Sequence, residues 1–142
     1  MKNLHQESKL LNDDKFSELE ELFEMVWTKD TTLPKSQEKW SESNKAYGQC
    51  AVTALVIQDL FGGKLVSNTD GSHFWNELPD GSQQDLSRKQ FKDLRDFKEH
   101  KYVTRDQVLD GKGARLADTR KRYLRLKDLF MKISSSFRLS SV

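Results

Sequence analysis

One stretch decides the fold of this chain: Gly48-Gln49-Cys50-Ala51-Val52-Thr53-Ala54-Leu55-Val56-Ile57-Gln58-Asp59-Leu60-Phe61-Gly62-Gly63. From Cys50 to Phe61 most residues are small or apolar, and the double glycine that follows is a common helix stop. A helix that is apolar nearly all round belongs in the centre of a domain. The stretch therefore predicts a buried central helix with Cys50 at or near its N-terminus.

A second, amphipathic helix is predicted upstream. From Lys15 to Trp27 the apolar residues recur at helical spacing. Asn12, Asp13 or Asp14 is a suitable N-cap for this helix. The segment between the two helices is polar and contains Pro34, so it is interpreted as loop.

Short strands are predicted after the central helix, at 64–66, 72–78 and 83–86. The turn at 79–82 joins the last two as a hairpin, because Pro-Asp-Gly-Ser is a strong turn signal. These elements predict the α+β class, with the central helix packed on an antiparallel sheet.

The remaining segments are less regular. Ser87 is a suitable cap for a short helix running through Phe91 and Leu94. A strand is predicted at 102–103, and a final helix runs from Asp118 to about Ile133. The 142 residues fit one domain with its core at about 15–133, and the tails 1–12 and 134–142 are expected to be flexible.

Composition narrows the classes of function. The chain has 24 basic and 22 acidic residues, so its net charge of +2 gives no general case for a nucleic-acid partner. The single cysteine and three scattered histidines match no metal-ligand spacing, and no metal or cofactor is expected. No membrane span or signal peptide is recognisable, so we expect a reducing cytoplasm.

Three residues suit thiol chemistry. A helix N-terminus favours the thiolate of Cys50 and offers N–H groups to an oxyanion. His73 lies on one strand of the predicted hairpin and Asp85 on the other, so the hairpin brings them together. These types in this order predict a triad in which Cys50 is the nucleophile, His73 the base and Asp85 the orienting carboxylate.

Two further residues are assigned to substrate binding. Gln49 is a candidate donor to the oxyanion, and Trp75 is a candidate hydrophobic wall beside the reacting group. The substrate would be a small molecule or peptide that carries a carbonyl.

Several motifs resemble the YunG family of small bacterial proteins, over about Trp40 to Phe91. The matching segments are Tyr47-Gly48-Gln49-Cys50-Ala51-Val52-Thr53-Ala54-Leu55-Val56, Ser72-His73-Phe74-Trp75-Asn76, Asp80-Gly81, Asp85-Leu86-Ser87-Arg88-Lys89-Gln90-Phe91 and, more weakly, Thr119-Arg120-Lys121-Arg122-Tyr123.

More distantly, the order Cys, His, Asp on a helix followed by a hairpin is similar to papain-like and transglutaminase-like cysteine enzymes. That resemblance implies a small core of the same kind and a peptidase, amidase or acyltransferase activity, with the same roles for Cys50, His73 and Asp85.

Alternative interpretations stay open. Cys50 is also compatible with a small core residue, His73 with a strand histidine bonded to a carbonyl, and Asp85 with a turn or helix cap. The same pocket would then serve a non-catalytic binding module. The last helix carries basic residues that are typical of a solvated face or of a surface for an acidic protein partner: Arg120, Lys121, Arg122, Arg125 and Lys127.

Overall fold

The computed structural model describes residues 13–87 and 100–137. Helix α1 (Asp13–Val26) is the predicted amphipathic helix, and a short 3-10 turn follows at Pro34–Ser36. Helix α2 (Cys50–Phe61) has the bounds that the sequence predicts. It ends where the Gly62 N–H donates to the carbonyl of Gln58 at 2.8 Å.

A four-stranded antiparallel sheet follows α2, so the α+β class is confirmed. Its strands are β1 (Lys64–Asn68), β2 (Phe74–Glu77), β3 (Gln83–Gln84) and β4 (His100–Val103), in the spatial order β3-β2-β1-β4. The predicted hairpin is β2 and β3. The predicted strand at 102–103 extends to four residues and pairs with β1 at the edge of the sheet.

The register assigns side chains to the two faces of the sheet. Ser67 lies opposite both Phe74 and Lys101, so these three share one face. Val66 lies opposite Trp75, and this pair belongs to the other face. One face of the sheet therefore carries Ser67, Phe74 and Lys101, and the opposite face carries Val66 and Trp75.

Three helices complete the described chain: α3 (Arg105–Asp110), α4 (Lys112–Leu116) and α5 (Thr119–Phe137). The sequence predicted only the last of them, and α5 continues four residues beyond Ile133 into the segment that was expected to be a tail. The short helix predicted through Phe91 and Leu94 lies outside the described residues, as does Asn12.

The core is centred on α2, which packs on the sheet and against α5, while α1 also packs on α5. Two buried polar bonds fix this arrangement. Trp27 Nε1 donates to Thr53 Oγ1 at 2.9 Å, and Asn76 Nδ2 donates to the Ala54 carbonyl at 2.9 Å. No helix in the described ranges is both long enough and apolar enough to cross a membrane.

Candidate active site

Cys50 is the first residue of α2 and is almost completely buried, with 7% of its surface exposed. It lines a cavity of about 750 Å³. The chain reaches this position through Gly48, whose φ of +75° is a conformation that glycine adopts easily. A Cβ at Gly48 would lie 2.2 Å from Thr32 Oγ1, so the close approach also requires glycine.

The N-terminus of α2 offers hydrogen-bond donors beside the thiol. No side chain caps the helix, and the first intrahelical bond of this end is Thr53 N–H to the Gln49 carbonyl at 3.0 Å. The N–H groups of residues 50–52 have no acceptor within the helix, as in any first turn. Such groups favour negative charge on a thiolate or an oxyanion.

His73 and Asp85 are in direct contact. His73 Nε2 lies 2.6 Å from Asp85 Oδ2, and both side chains are buried. His73 immediately precedes β2, where Asn68 Oδ1 accepts its backbone N–H at 3.0 Å. Asp85 immediately follows β3, so the β2–β3 pairing brings the two residues together, as the sequence predicted.

The pKa of His73 reflects its contacts with both neighbours. Burial lowers this pKa, but hydrogen bonds to Asp85 and to the Cys50 thiol, together with their charges, raise it to about 9 from the usual 6.5. Asp85 contacts Nε2, and the other ring nitrogen, Nδ1, is buried. The structure therefore brings Cys50, His73 and Asp85 into one cluster.

Trp75 packs on this cluster and does not line the cavity. Its ring stacks on the His73 ring, with centroids 5.8 Å apart and planes 28° from parallel. Its Nε1 donates to Gln83 Oε1 at 2.8 Å. Trp75 belongs to the sheet face opposite the cavity residues Ser67 and Phe74, and its ring also meets the His100 ring edge-on, with centroids 6.2 Å apart.

Gln49 is fully buried and its amide is bonded to a turn of the preceding loop. Oε1 accepts from Thr31 Oγ1 at 2.9 Å, and Nε2 donates to the Thr28 carbonyl at 3.1 Å. These hydrogen bonds connect Gln49 to the loop before α2 and therefore contribute to the stability of the fold. Its predicted oxyanion role stays a prediction.

Arg122 is a functional candidate that the sequence interpretation missed. The expectation of a solvated basic face is wrong for this residue, which is 4% exposed and lines the same cavity as Cys50. Burial lowers its pKa to about 10, while the charges of Cys50 and Asp118 oppose that shift. Its position four residues before buried Leu126, on the apolar stripe of α5, was the available signal.

Three other residues of the predicted basic face of α5 meet acidic groups of this chain. Arg120 pairs with Asp110, and Lys127 Nζ lies 3.1 Å from Asp59 Oδ2. Arg125 Nε lies 3.4 Å from Asp30 Oδ2. An acidic protein partner for this helix stays a prediction. Within the described ranges, no group of three or more His, Cys, Asp or Glu side chains is arranged to hold a metal ion.

Comparison with known proteins gives a family relationship. The family model described as "YunG protein" matches residues 15–134. A curated relative, "Uncharacterized protein YunG" of Bacillus subtilis (strain 168), is 47% identical over 58 residues, which cover 39% of this chain and 50% of the relative.

This chain thus spans about half the length of the curated relative it matches. No solved structure matches it significantly. The family match covers most of the chain, including all three residues of the Cys50–His73–Asp85 cluster. The chain therefore belongs to the YunG family.

Proposed function

We propose that the protein is a thiol-dependent hydrolase or acyltransferase that acts on an amide or ester. The observation that carries the proposal is the His73–Asp85 contact of 2.6 Å beside Cys50, which itself lines a cavity large enough for a small substrate. The Cys-His-Asp order also supports a papain-like or transglutaminase-like core, and a single free thiol suits the reducing cytoplasm.

The reaction needs one nucleophile and one proton carrier. The Cys50 thiolate attacks the carbonyl carbon, and the N–H groups at the start of α2 stabilise the oxyanion. The C–N or C–O bond then breaks, His73 gives a proton to the leaving amine or alcohol, and a thioester remains on Cys50. Water or an amine attacks the thioester, His73 takes up its proton, and the thiolate is released with an acid or a new amide.

Asp85 orients the proton carrier and stabilises its charged form. A carboxylate on Nε2 fixes the ring so that Nδ1 faces the thiol, and it favours the imidazolium that the pKa of about 9 indicates at neutral pH. A positive charge next to a thiol favours the thiolate, the reactive species.

Alkylation by iodoacetamide tests this pair directly. At pH 7 we expect Cys50 to react at least about tenfold faster in the native protein than in His73→Ala, because loss of the imidazolium lowers the thiolate fraction. The second-order rate constant is measured by mass spectrometry. Labelling is unambiguous because the chain has one cysteine.

The matched control is His100→Ala, which removes the other described histidine from a strand of the same sheet. It should leave the rate within a factor of two. Equal rates for the native protein and His73→Ala, with both folded, would end the activated-thiol proposal.

A non-catalytic binding module is the second candidate, and the burial of Cys50 at 7% exposure favours it. The same cavity would then hold a ligand without turnover. A panel of p-nitrophenyl esters separates the two functions. An enzyme gives repeated turnover that Cys50→Ala abolishes, whereas a binding module gives at most one product per Cys50.

A further inference from the structure

The charge of the cavity wall differs from that of the whole chain. Over the whole chain basic and acidic residues nearly balance, yet the wall has four basic side chains and, among the described residues, neither Asp nor Glu. The four are Lys35, Lys101, Lys112 and Arg122. Such a one-sided wall attracts anions.

Arg122 is the buried member of this set. Its Nη1 donates to the Thr31 carbonyl at 2.9 Å, its Nε to the Ala117 carbonyl at 2.8 Å, and its Nη2 reaches Thr119 Oγ1 at 3.4 Å. Within the described ranges no carboxylate forms an ion pair with it. A buried guanidinium without a carboxylate is costly, and an anionic ligand would offset that cost.

Acidic residues lie beside the cavity without lining it: Asp70, Asp118, and Asp106 and Asp110, which directly precede the lining residues Gln107 and Gly111. A hydrogen bond from Ser72 and, to a lesser extent, the charge of Lys101 lower the pKa of Asp70, and the charge of Asp118 acts on Arg122. The remaining wall is mainly small or apolar, with Phe74 and Val103 contributed by the sheet. The cavity therefore suits a ligand with an apolar body and a negatively charged group.

We infer that the substrate of this site carries an anionic group, a carboxylate or a phosphate, that binds to Arg122 and the cavity lysines while its carbonyl faces Cys50. The inference rests on the proposed function for the identity of the reacting atom. The cationic wall itself does not depend on Cys50 being catalytic.

Two alkylating reagents of similar size test the inference: iodoacetate, which is anionic, and iodoacetamide, which is neutral. The ratio of their rate constants at Cys50 cancels the reactivity of the thiol, so it reports the preference for charge, to which the cavity wall and the protonated His73 ring both contribute. Measured in His73→Ala, the ratio reports the wall alone. At low ionic strength we expect this ratio to exceed that of free N-acetylcysteine by about tenfold. A ratio equal to or below that of N-acetylcysteine would overturn the inference.

Charge-removing variants locate the effect. Lys101→Gln should lower the ratio about threefold, since it removes one exposed charge from the wall. Arg122→Gln should lower it further. The matched control is Lys64→Gln, which removes a lysine that lies over the Tyr102 ring and outside the cavity. Equal losses in Lys101→Gln and Lys64→Gln would also overturn the inference.

Protection from iodoacetamide identifies the anionic group. Inorganic phosphate and succinate are added separately at matched ionic strength. Slower labelling of Cys50 in the presence of either anion supports the inference, and the anion that protects shows whether the site prefers a phosphate or a carboxylate. The anion site can be confirmed or rejected independently of the proposed catalytic function. A high iodoacetate ratio with no effect of His73→Ala on iodoacetamide labelling would keep the anion site and remove the activated thiol.

Discussion

At the scale of single residues, Gln49 shows how a polar side chain next to Cys50 contributes to folding. Its amide is fully buried and bonded to Thr28 and Thr31. We expect Gln49→Ala to lower the free energy of unfolding by about 2 kcal/mol, because two buried hydrogen bonds are lost. Urea denaturation measures this change.

Gln37→Ala is the control, because that exposed amide donates to the nearby Lys29 carbonyl at 3.3 Å. Its effect should stay within about 0.5 kcal/mol. If the native protein turns over p-nitrophenyl esters as proposed, a Gln49→Ala protein of native stability without that turnover would instead return the amide to the predicted oxyanion role.

At the scale of elements, the loop before α2 depends on a glycine at a crowded position. Gly48 and Gly71 both have a φ of +75°, but a Cβ at Gly71 would meet nothing within 4 Å. Gly71→Ala should therefore cost only the conformational penalty of about 1–2 kcal/mol. Gly48→Ala adds the clash with Thr32, so we expect a loss of at least about 3 kcal/mol.

The comparison is made by urea denaturation of the two variants. Because both glycines have the same φ, the difference between the variants isolates the steric contribution. Equal losses of unfolding free energy in the two variants would show that the loop relieves the clash with Thr32 at little cost. Gly48 would then be needed only for its positive φ.

Elements with local signals could be predicted from the sequence. The apolar run and double glycine define α2, and the Pro-Asp-Gly-Ser turn defines the β2–β3 hairpin, which in turn places Asp85 beside His73. The edge position of β4 could not be predicted, because its pairing with β1 depends on contacts distant in sequence. Helix α3 did carry a local signal, since Thr104 and Gln107 form a capping box.

Among the residues of the candidate site, too, some positions could be predicted from the sequence and others could not. Cys50 and His73 are close because α2 packs on the sheet, and the order of the elements suggested this. Arg122 reaches the cavity only because α5 packs against α2 from the far end of the chain. Its partners Thr31 and Cys50 are distant in sequence, and the helical spacing from buried Leu126 was the local sign that this member of the basic run is buried.

At the scale of the whole molecule, stability should depend on the titration of His73. Its pKa is about 9 in the folded protein and near 6.5 when unfolded, so folding favours the protonated ring. The resulting stabilisation is fully present below pH 6.5, declines as pH rises, and is lost above about pH 9. The shift corresponds to about 3 kcal/mol.

Urea denaturation at intervals from pH 6 to 9.5 measures this decline. In Asp85→Asn the slope should be much smaller, because the carboxylate that favours the imidazolium is gone. His100→Gln is the control for the other described histidine and should keep the native slope. Cys50→Ala should also reduce the slope, because Cys50 contributes to the raised pKa of His73. A native protein whose stability stays level over this range would mean that His73 folds as a neutral ring. In the proposed reaction, the proton for the leaving group would then have to come from the thiol.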